Sequence, residues 1–343
     1  MTLSNGMKMI TLLADGREER IEGLVLPHGA PVLGWERKPH GWCRGDACVP
    51  AFRAAVADVP AEDGSAGPGV DLTAFAGLLG REVVTDAEEG VVAVGEPEGL
   101  SAGEAPDFTL GDFTLSARRG TKIALVFWAS WCGCRYDLAA WDELHRELAG
   151  SGFAVVSVSL DRRADDAAPW IEGLAHTALV DTEGRVSELF NVVNVPTVVW
   201  IGEDGRIARP QDTMTATDTF RSMNGLSSDA AKAALRRWVR EGESGLSAQA
   251  VREHLRASTA AERVARLHGR IAAWLFRQGR RAAAERHLAA AAELAPHDVS
   301  IRRGLMPLAG VDPFGDEYFR LREELETSGV AIYRPLPDWH QAG

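Results

Sequence analysis

The chain has 343 residues, 45% of them hydrophobic and 25% charged, with a formal net charge of -12 at pH 7. That length favours two or three domains, and the balance describes an ordinary globular composition. The acidic charge speaks against a protein that tracks nucleic-acid phosphates, and no apolar run is long enough to span a bilayer.

The first block, residues 1–97, reads as a small mixed α+β domain. Its start, MTLSNGMKMITLLADG, has one lysine, a short apolar stretch and Asp15. This is a poor signal peptide, so a cytoplasmic location is expected. Four cysteines there do not make a structural disulfide framework, and reactive or metal-binding roles are expected instead. They fall in two close pairs, Cys43/Cys48 and Cys132/Cys134. The first pair lies in PHGWCRGDACVP, where His40, Cys43 and Cys48 give H-x2-C-x4-C and His28 is a candidate fourth ligand. Three readings stay open for it: a dithiol/disulfide that exchanges with the central Cys132/Cys134 site, a metal clip, or two loop cysteines with no shared role. Further on, Asp71–Leu79 predicts a helix with Asp71 as N-cap and Gly80 as its stop. Strands are predicted over Glu82–Thr85 and Val91–Val94, and Gly95–Pro106 reads as a linker.

The second block, residues 104–240, alternates strands with helices. Lys122–Ala129 (KIALVFWA) and Phe153–Leu160 (FAVVSVSL) are apolar runs that suit strands buried on both faces. Between them, Asp137–Ala149 places Leu138, Trp141, Leu144 and Leu148 on one helical face. A short helix broken near Pro169, a strand at Ala178–Val180 and a turn with helix at Glu183–Phe190 follow. Thr197–Ile201 and Arg206–Ala208 predict a hairpin closed by a Gly-containing turn. The pattern means a mixed sheet covered on both faces.

The third block, residues 245–343, reads as an alanine-rich helical domain. Two amphipathic helices, Ala261–Gln278 and Arg280–Leu294, meet at Gly279 and stop at Pro296. The pair is similar to one tetratricopeptide unit, which cannot bury its own faces. It is therefore expected to pack on a neighbouring domain or on a second copy of the chain, as in a homodimer.

Three stretches of the middle block resemble the thioredoxin fold, and within it the TlpA/ResA-like redoxins: APDFTL (Ala105–Leu110), FWASWC…CR (Phe127–Arg135) and NVPTVVWIGEDGRI (Asn194–Ile207). The resemblance covers roughly 130 residues in the correct order. It implies an α/β thioredoxin-like fold, here flanked by the N-terminal α+β and C-terminal helical domains. It also implies that Trp131 and Cys132 match the family's tryptophan and nucleophilic cysteine, that Pro196 matches its cis-proline, and that Arg135 matches the basic residue that often follows. The family motif is W-C-x-x-C, whereas this chain has W-C-G-C, so Cys134 matches the resolving cysteine only across a one-residue gap.

The residue types suit the chemistry. A thiolate attacks disulfides, and a strand end leading into a helix N-terminus favours negative sulfur. A disulfide between residues i and i+2 is expected to be strained. The leading reading is thus a thiol–disulfide oxidoreductase with Cys132 as nucleophile and Cys134, or Cys43/Cys48, as resolving thiol. Its partner would be a protein or small-molecule disulfide or thiol, with no nucleic acid, membrane or resident cofactor. The alternative is a soft-metal protein binding Cu, Zn or Hg through thiolates. A third reading makes the helical block an interaction module. Asp161, at the end of the second strand, is expected to be a plain loop carboxylate more than a proton acceptor.

Overall fold

In the computed structural model, the described residues are 9–27, 29–50, 53, 56–60, 66–100, 103–330 and 336–337, with 56–60 and 66–67 described by backbone alone. They divide into two compact units. One combines residues 1–98 with 260–294, and the other combines 99–259 with 295–343. Among the described residues no helix is long and apolar enough to cross a membrane.

Among its described residues the first unit holds ten short strands. They are β1 (Met9–Ala14), β2 (Arg17–Glu22), β3 (Val25–Pro27), β4 (Glu36–Lys38), β5 (Gly41–Arg44), β6 (Ala47–Pro50), β7 (Val56–Pro60), β8 (Ala66–Asp71), β9 (Val83–Asp86) and β10 (Val91–Val94). A helix, α1 (Leu72–Leu78), follows β8. Its Asp71 cap accepts a hydrogen bond from the Ala74 amide at 2.8 Å, as the Asp–Leu-Thr-Ala start predicts. The strands form three sheets, ordered β2-β1-β10-β9, β3-β8-β7 and β4-β5-β6. Leu12, Ile21, Trp42, Phe75, Val92 and Val94 share one core.

A helical hairpin, Ala260–Arg277 and Arg281–Leu294, completes this unit. Gly279 turns the chain between them at a φ of 71°, a conformation that favours glycine. The first helix packs on β9 and β10, and Ile271, Leu275 and Ala284 are fully buried. The 245–343 block expected as one helical domain is therefore divided. Its helix pair belongs with the N-terminal sheets, and the remainder belongs with the central unit. An amphipathic face needs an apolar partner, and here the partner lies in the same chain.

The second unit opens with a two-stranded ribbon, β11 (Thr109–Leu110) and β12 (Phe113–Thr114). Then come β13 (Lys122–Trp128), α2 (Leu138–Leu148), β14 (Phe153–Ser159), α3 (Ala164–Ile171), β15 (Thr177–Val180), α4 (Arg185–Leu189), β16 (Thr197–Ile201) and β17 (Ile207–Asp212). Three helices follow: α5 (Arg221–Asn224), α6 (Ser228–Glu241) and α7 (Ala248–His254). The five-stranded sheet runs β15-β14-β13-β16-β17. β13, β14 and β15 are parallel, and β16 runs antiparallel to both β13 and β17.

Successive side chains of a strand point to opposite faces, and β13 shows this directly. Ile123, Leu125 and Phe127 enter one core with Val158, Phe190 and Val199. Ala124 and Val126 enter the other, with Trp141 and Leu144 of α2 and Leu235 and Trp238 of α6. Burial on both faces accounts for the continuous apolar run. α3 is not broken at Pro169, which sits inside it, but the helix ends two residues later at Ile171. Proline removes one intrahelical hydrogen bond, so the helix stays short.

Candidate active site

β13 ends at Trp128, and four residues later Cys132 caps a 3₁₀ turn, Gly133–Asp137, that leads directly into α2. Cys132 has extended backbone, and its Sγ accepts a hydrogen bond from the Cys134 amide at 3.2 Å. The sulfur thus takes the place of a capping oxygen at a helix start. It also lies 3.5 Å from the Val195 carbonyl, immediately before Pro196, and the Val195–Pro196 bond is cis. The site therefore brings together Trp131, Cys132, Cys134 and the Val195–Pro196 loop.

Both central cysteines are free thiols, 5% and 6% exposed, so their environments and not bulk water set their protonation. Burial pushes the Cys132 thiol up, but hydrogen bonds from the Cys134 side chain and amide, together with the Arg303 charge, outweigh it and lower its pKa. Burial and the neighbouring Cys132 push Cys134 well above the ordinary thiol value. The pair is thus split into a sulfur disposed to be thiolate and a sulfur disposed to stay thiol.

Arg303 carries no sequence signal and was not among the predicted site residues. It is 6% exposed, donates from Nε to the Pro313 carbonyl at 2.9 Å, and packs its guanidinium 3.5 Å from the Tyr318 ring centroid and 5.7 Å from that of Trp131. Burial lowers its pKa, yet a guanidinium keeps its charge near neutrality. The segment that carries it lies along the site. The Ser300 amide donates to the Val193 carbonyl at 3.1 Å, and a Cβ at Gly304 would come 3.2 Å from Trp131 Cζ2. On another side the Phe220 ring covers Gly133 so closely that a Cβ there would lie 2.5 Å from its Cε2.

Asp137 is a second residue that sequence reasoning missed. Burial raises its carboxyl pKa against hydrogen bonds from Thr217 and the Ala216 amide, the latter at 3.0 Å, and its charge acts on both sulfurs. Arg135 is held by the Ser130 carbonyl and stacks near Tyr136, Trp170 and Phe314 at 4.6–4.9 Å. Asp161 accepts from the Ser130 amide at 2.9 Å and its hydroxyl at 2.6 Å, and so anchors the turn before Trp131. The Trp131 indole N–H is buried without a hydrogen-bond partner among the described residues.

Cys43 and Cys48 are joined as a disulfide in the first unit. The register of β5 and β6 places them directly opposite each other, which brings the sulfurs together. His40 stands beside both. His28 lies outside the described residues. Among the described residues, His40, Cys43 and Cys48 are the one group of three side chains arranged to hold a metal, and Cys132 and Cys134 belong to no such group. Among the described residues no third donor joins the central pair.

A cysteine at a strand–turn–helix junction of a five-stranded mixed sheet, facing a Val-Pro-Thr loop, defines the thioredoxin-fold class. Relatives in sequence agree. The AhpC/TSA family matches residues 102–209. The thioredoxin-like protein YneN of Bacillus subtilis (strain 168) is 32% identical over 138 residues, covering 36% of this chain and 78% of its own. The thiol-disulfide oxidoreductase ResA of Geobacillus kaustophilus (strain HTA426) is 26% identical over 166 residues, covering 45% and 91%. Among solved structures, the pneumococcal exposed lipoprotein thioredoxin Etrx1 of Streptococcus pneumoniae strain TIGR4 is 28% identical with a TM-score of 0.31, covering 39% and 98%. The chain belongs to the TlpA/ResA-like thioredoxin-fold redoxins.

Proposed function

We propose that the chain is a thiol–disulfide oxidoreductase acting through Cys132. The observation that carries this is the placement of Cys132 Sγ at a helix start, accepting from the Cys134 amide at 3.2 Å and lying 3.5 Å from the Val195 carbonyl just before Pro196. The names of its relatives support the same activity.

The Cys132 thiolate attacks one sulfur of a substrate disulfide. A Cys132–substrate disulfide forms, the substrate bond breaks, and the leaving sulfur departs as a thiolate that takes a proton. Cys134 then loses its proton and attacks Cys132 Sγ, releasing the second substrate sulfur. The substrate has gained two electrons and two protons, and the Cys132–Cys134 pair has become a disulfide. Asp137, whose raised pKa suits proton exchange and whose charge acts on Cys134, is the carboxylate we assign to accept the Cys134 proton. An external dithiol resets the pair. Cys43 or Cys48, once an external dithiol has reduced the bond between them, is the alternative resolving thiol, and Trp131 and the Pro196 loop are the groups that flank the mixed disulfide. Substrates are protein or small-molecule disulfides.

Cys132→Ser should abolish dithiol-driven reduction of a protein disulfide. Cys134→Ser should accumulate the Cys132 mixed disulfide, seen by intact mass and peptide mapping. Full activity in Cys132→Ser overturns the reading. A Cys132–Cys43 or Cys132–Cys48 bond in place of the trapped substrate moves the resolving role to the first unit.

A further inference from the structure

The three-stranded sheet of the first unit brings three soft donors to one point. His40 lies in the turn between β4 and β5, Cys43 in β5 and Cys48 in β6. His40 Nε2 stands 3.3 Å from Cys43 Sγ and 3.5 Å from Cys48 Sγ. Around a tetrahedral zinc, bond lengths of about 2.05 Å to nitrogen and about 2.3 Å to sulfur put neighbouring N and S ligands about 3.6 Å apart. The imidazole therefore already sits at ligand spacing from both sulfurs. The sulfurs, bonded to each other, need only part to about 3.8 Å.

The scaffold is built to stay in place while they do. Cys43 and Cys48 are paired across β5 and β6 by the strand register, with Trp42 opposite Val49 as the next pair. Trp42 is 1% exposed and packs 5.5 Å from the Phe75 ring centroid, which pins the hairpin to the core without help from the disulfide. Cys43 is buried, whereas Cys48 and His40 are exposed, so a reductant and an ion can approach from solvent. The irregular H-x2-C-x4-C spacing has a simple origin: the donors meet across a hairpin and not within one metal-binding knuckle.

We propose that His40, Cys43 and Cys48 form a redox-gated site for a zinc-class divalent cation. Oxidised, the sulfurs are bonded to each other and cannot ligate. A dithiol reduces the bond, passing two electrons and two protons to Cys43 and Cys48 and becoming a disulfide itself. The metal then binds the two thiolates and His40 Nε2, displacing the two thiol protons. The fourth position is open to water or a further ligand. Metal binding at this site does not depend on the Cys132 chemistry.

The test uses the full chain carrying Cys132→Ser and Cys134→Ser, reduced with a phosphine that does not bind metal. Titration with Co²⁺ should give one equivalent with a thiolate-to-metal charge-transfer band, and Zn²⁺ should displace it. The oxidised protein should give no band. His40→Ala, an exposed position that leaves the hairpin core intact, should weaken Co²⁺ binding by about tenfold or more. Cys48→Ser, also exposed, should abolish the band. Absence of binding to the reduced protein, equal binding to the oxidised protein, or unchanged affinity in His40→Ala would each overturn the proposal.

Discussion

Gly133, between the two central cysteines, offers the sharpest perturbation of the redox site. A methyl added there would lie 2.5 Å from Phe220 Cε2, whereas non-bonded carbons settle at about 3.5–4.0 Å. The ring must retreat by about 1 Å or more. Overpacking of this kind costs about 1–3 kcal/mol. Phe220 is half-buried and can swing toward solvent, which places Gly133→Ala near the lower end of that range. For a unit of this size, about 1 kcal/mol lowers the melting temperature by about 2–4 °C. The assay is a double-mutant cycle with Phe220→Ala, read by denaturant unfolding and by the alkylation rate of Cys132. With the ring gone, adding the methyl should cost less than about 0.5 kcal/mol. Cys132 alkylation should rise in Phe220→Ala, since the ring covers the residue next to Cys132. If Gly133→Ala is equally costly with and without the Phe220 ring, the contact does not exist as described.

Other expectations follow from charge. Arg303→Gln removes the cation that favours the Cys132 thiolate, so the midpoint of Cys132 alkylation against pH should move up; an unchanged midpoint would remove Arg303 from the site. Cys134 should stay unalkylated in the native protein throughout the neutral range. Burial holds His176 below its ordinary value of 6.5, against the pull of Asp142, whose carboxylate accepts from the His176 ring at 2.9 Å. A group with a depressed folded pKa resists the proton that the unfolded chain takes up, so stability should fall as pH drops below about 6.5. His176→Gln should flatten that slope in urea midpoints measured between neutral and mildly acid pH, and an unaltered slope would assign it elsewhere.

The parts of the site legible in the sequence are those encoded locally. KIALVFWA carries its own signal for a doubly buried strand, and the Leu138–Leu148 face carries its own period, so the junction that holds Cys132 could be placed to within a residue or two. Arg303, Phe220 and Asp137 could not be found this way. Arg303 and Phe220 act on the site from about 170 and 90 residues away along the chain, and neither stands in a pattern that marks it. Asp137 stands at the start of a predicted helix, where an acidic residue is ordinary. The β4–β6 strands were also missed, because strands of three or four residues interrupted by Gly and Pro give no usable alternation. The helix pair 260–294 was recognised as amphipathic, but an apolar stripe does not name what it covers.

Assigning that helix pair to the N-terminal sheets has a consequence for how the molecule is made. When a ribosome has finished the strands up to residue 98, the helices that bury β9 and β10 do not yet exist. Roughly 200 more residues must be translated, about 10–40 s at 5–20 residues per second. During that interval the redoxin strands and α2 can emerge and fold, while Val91 and Ala93, on the face of β10 opposite the Leu12–Phe75 core and fully buried in the finished protein, wait for their cover. A nascent chain stalled before residue 260 should therefore display an apolar sheet that holdase chaperones can grip, and one released after residue 294 should not.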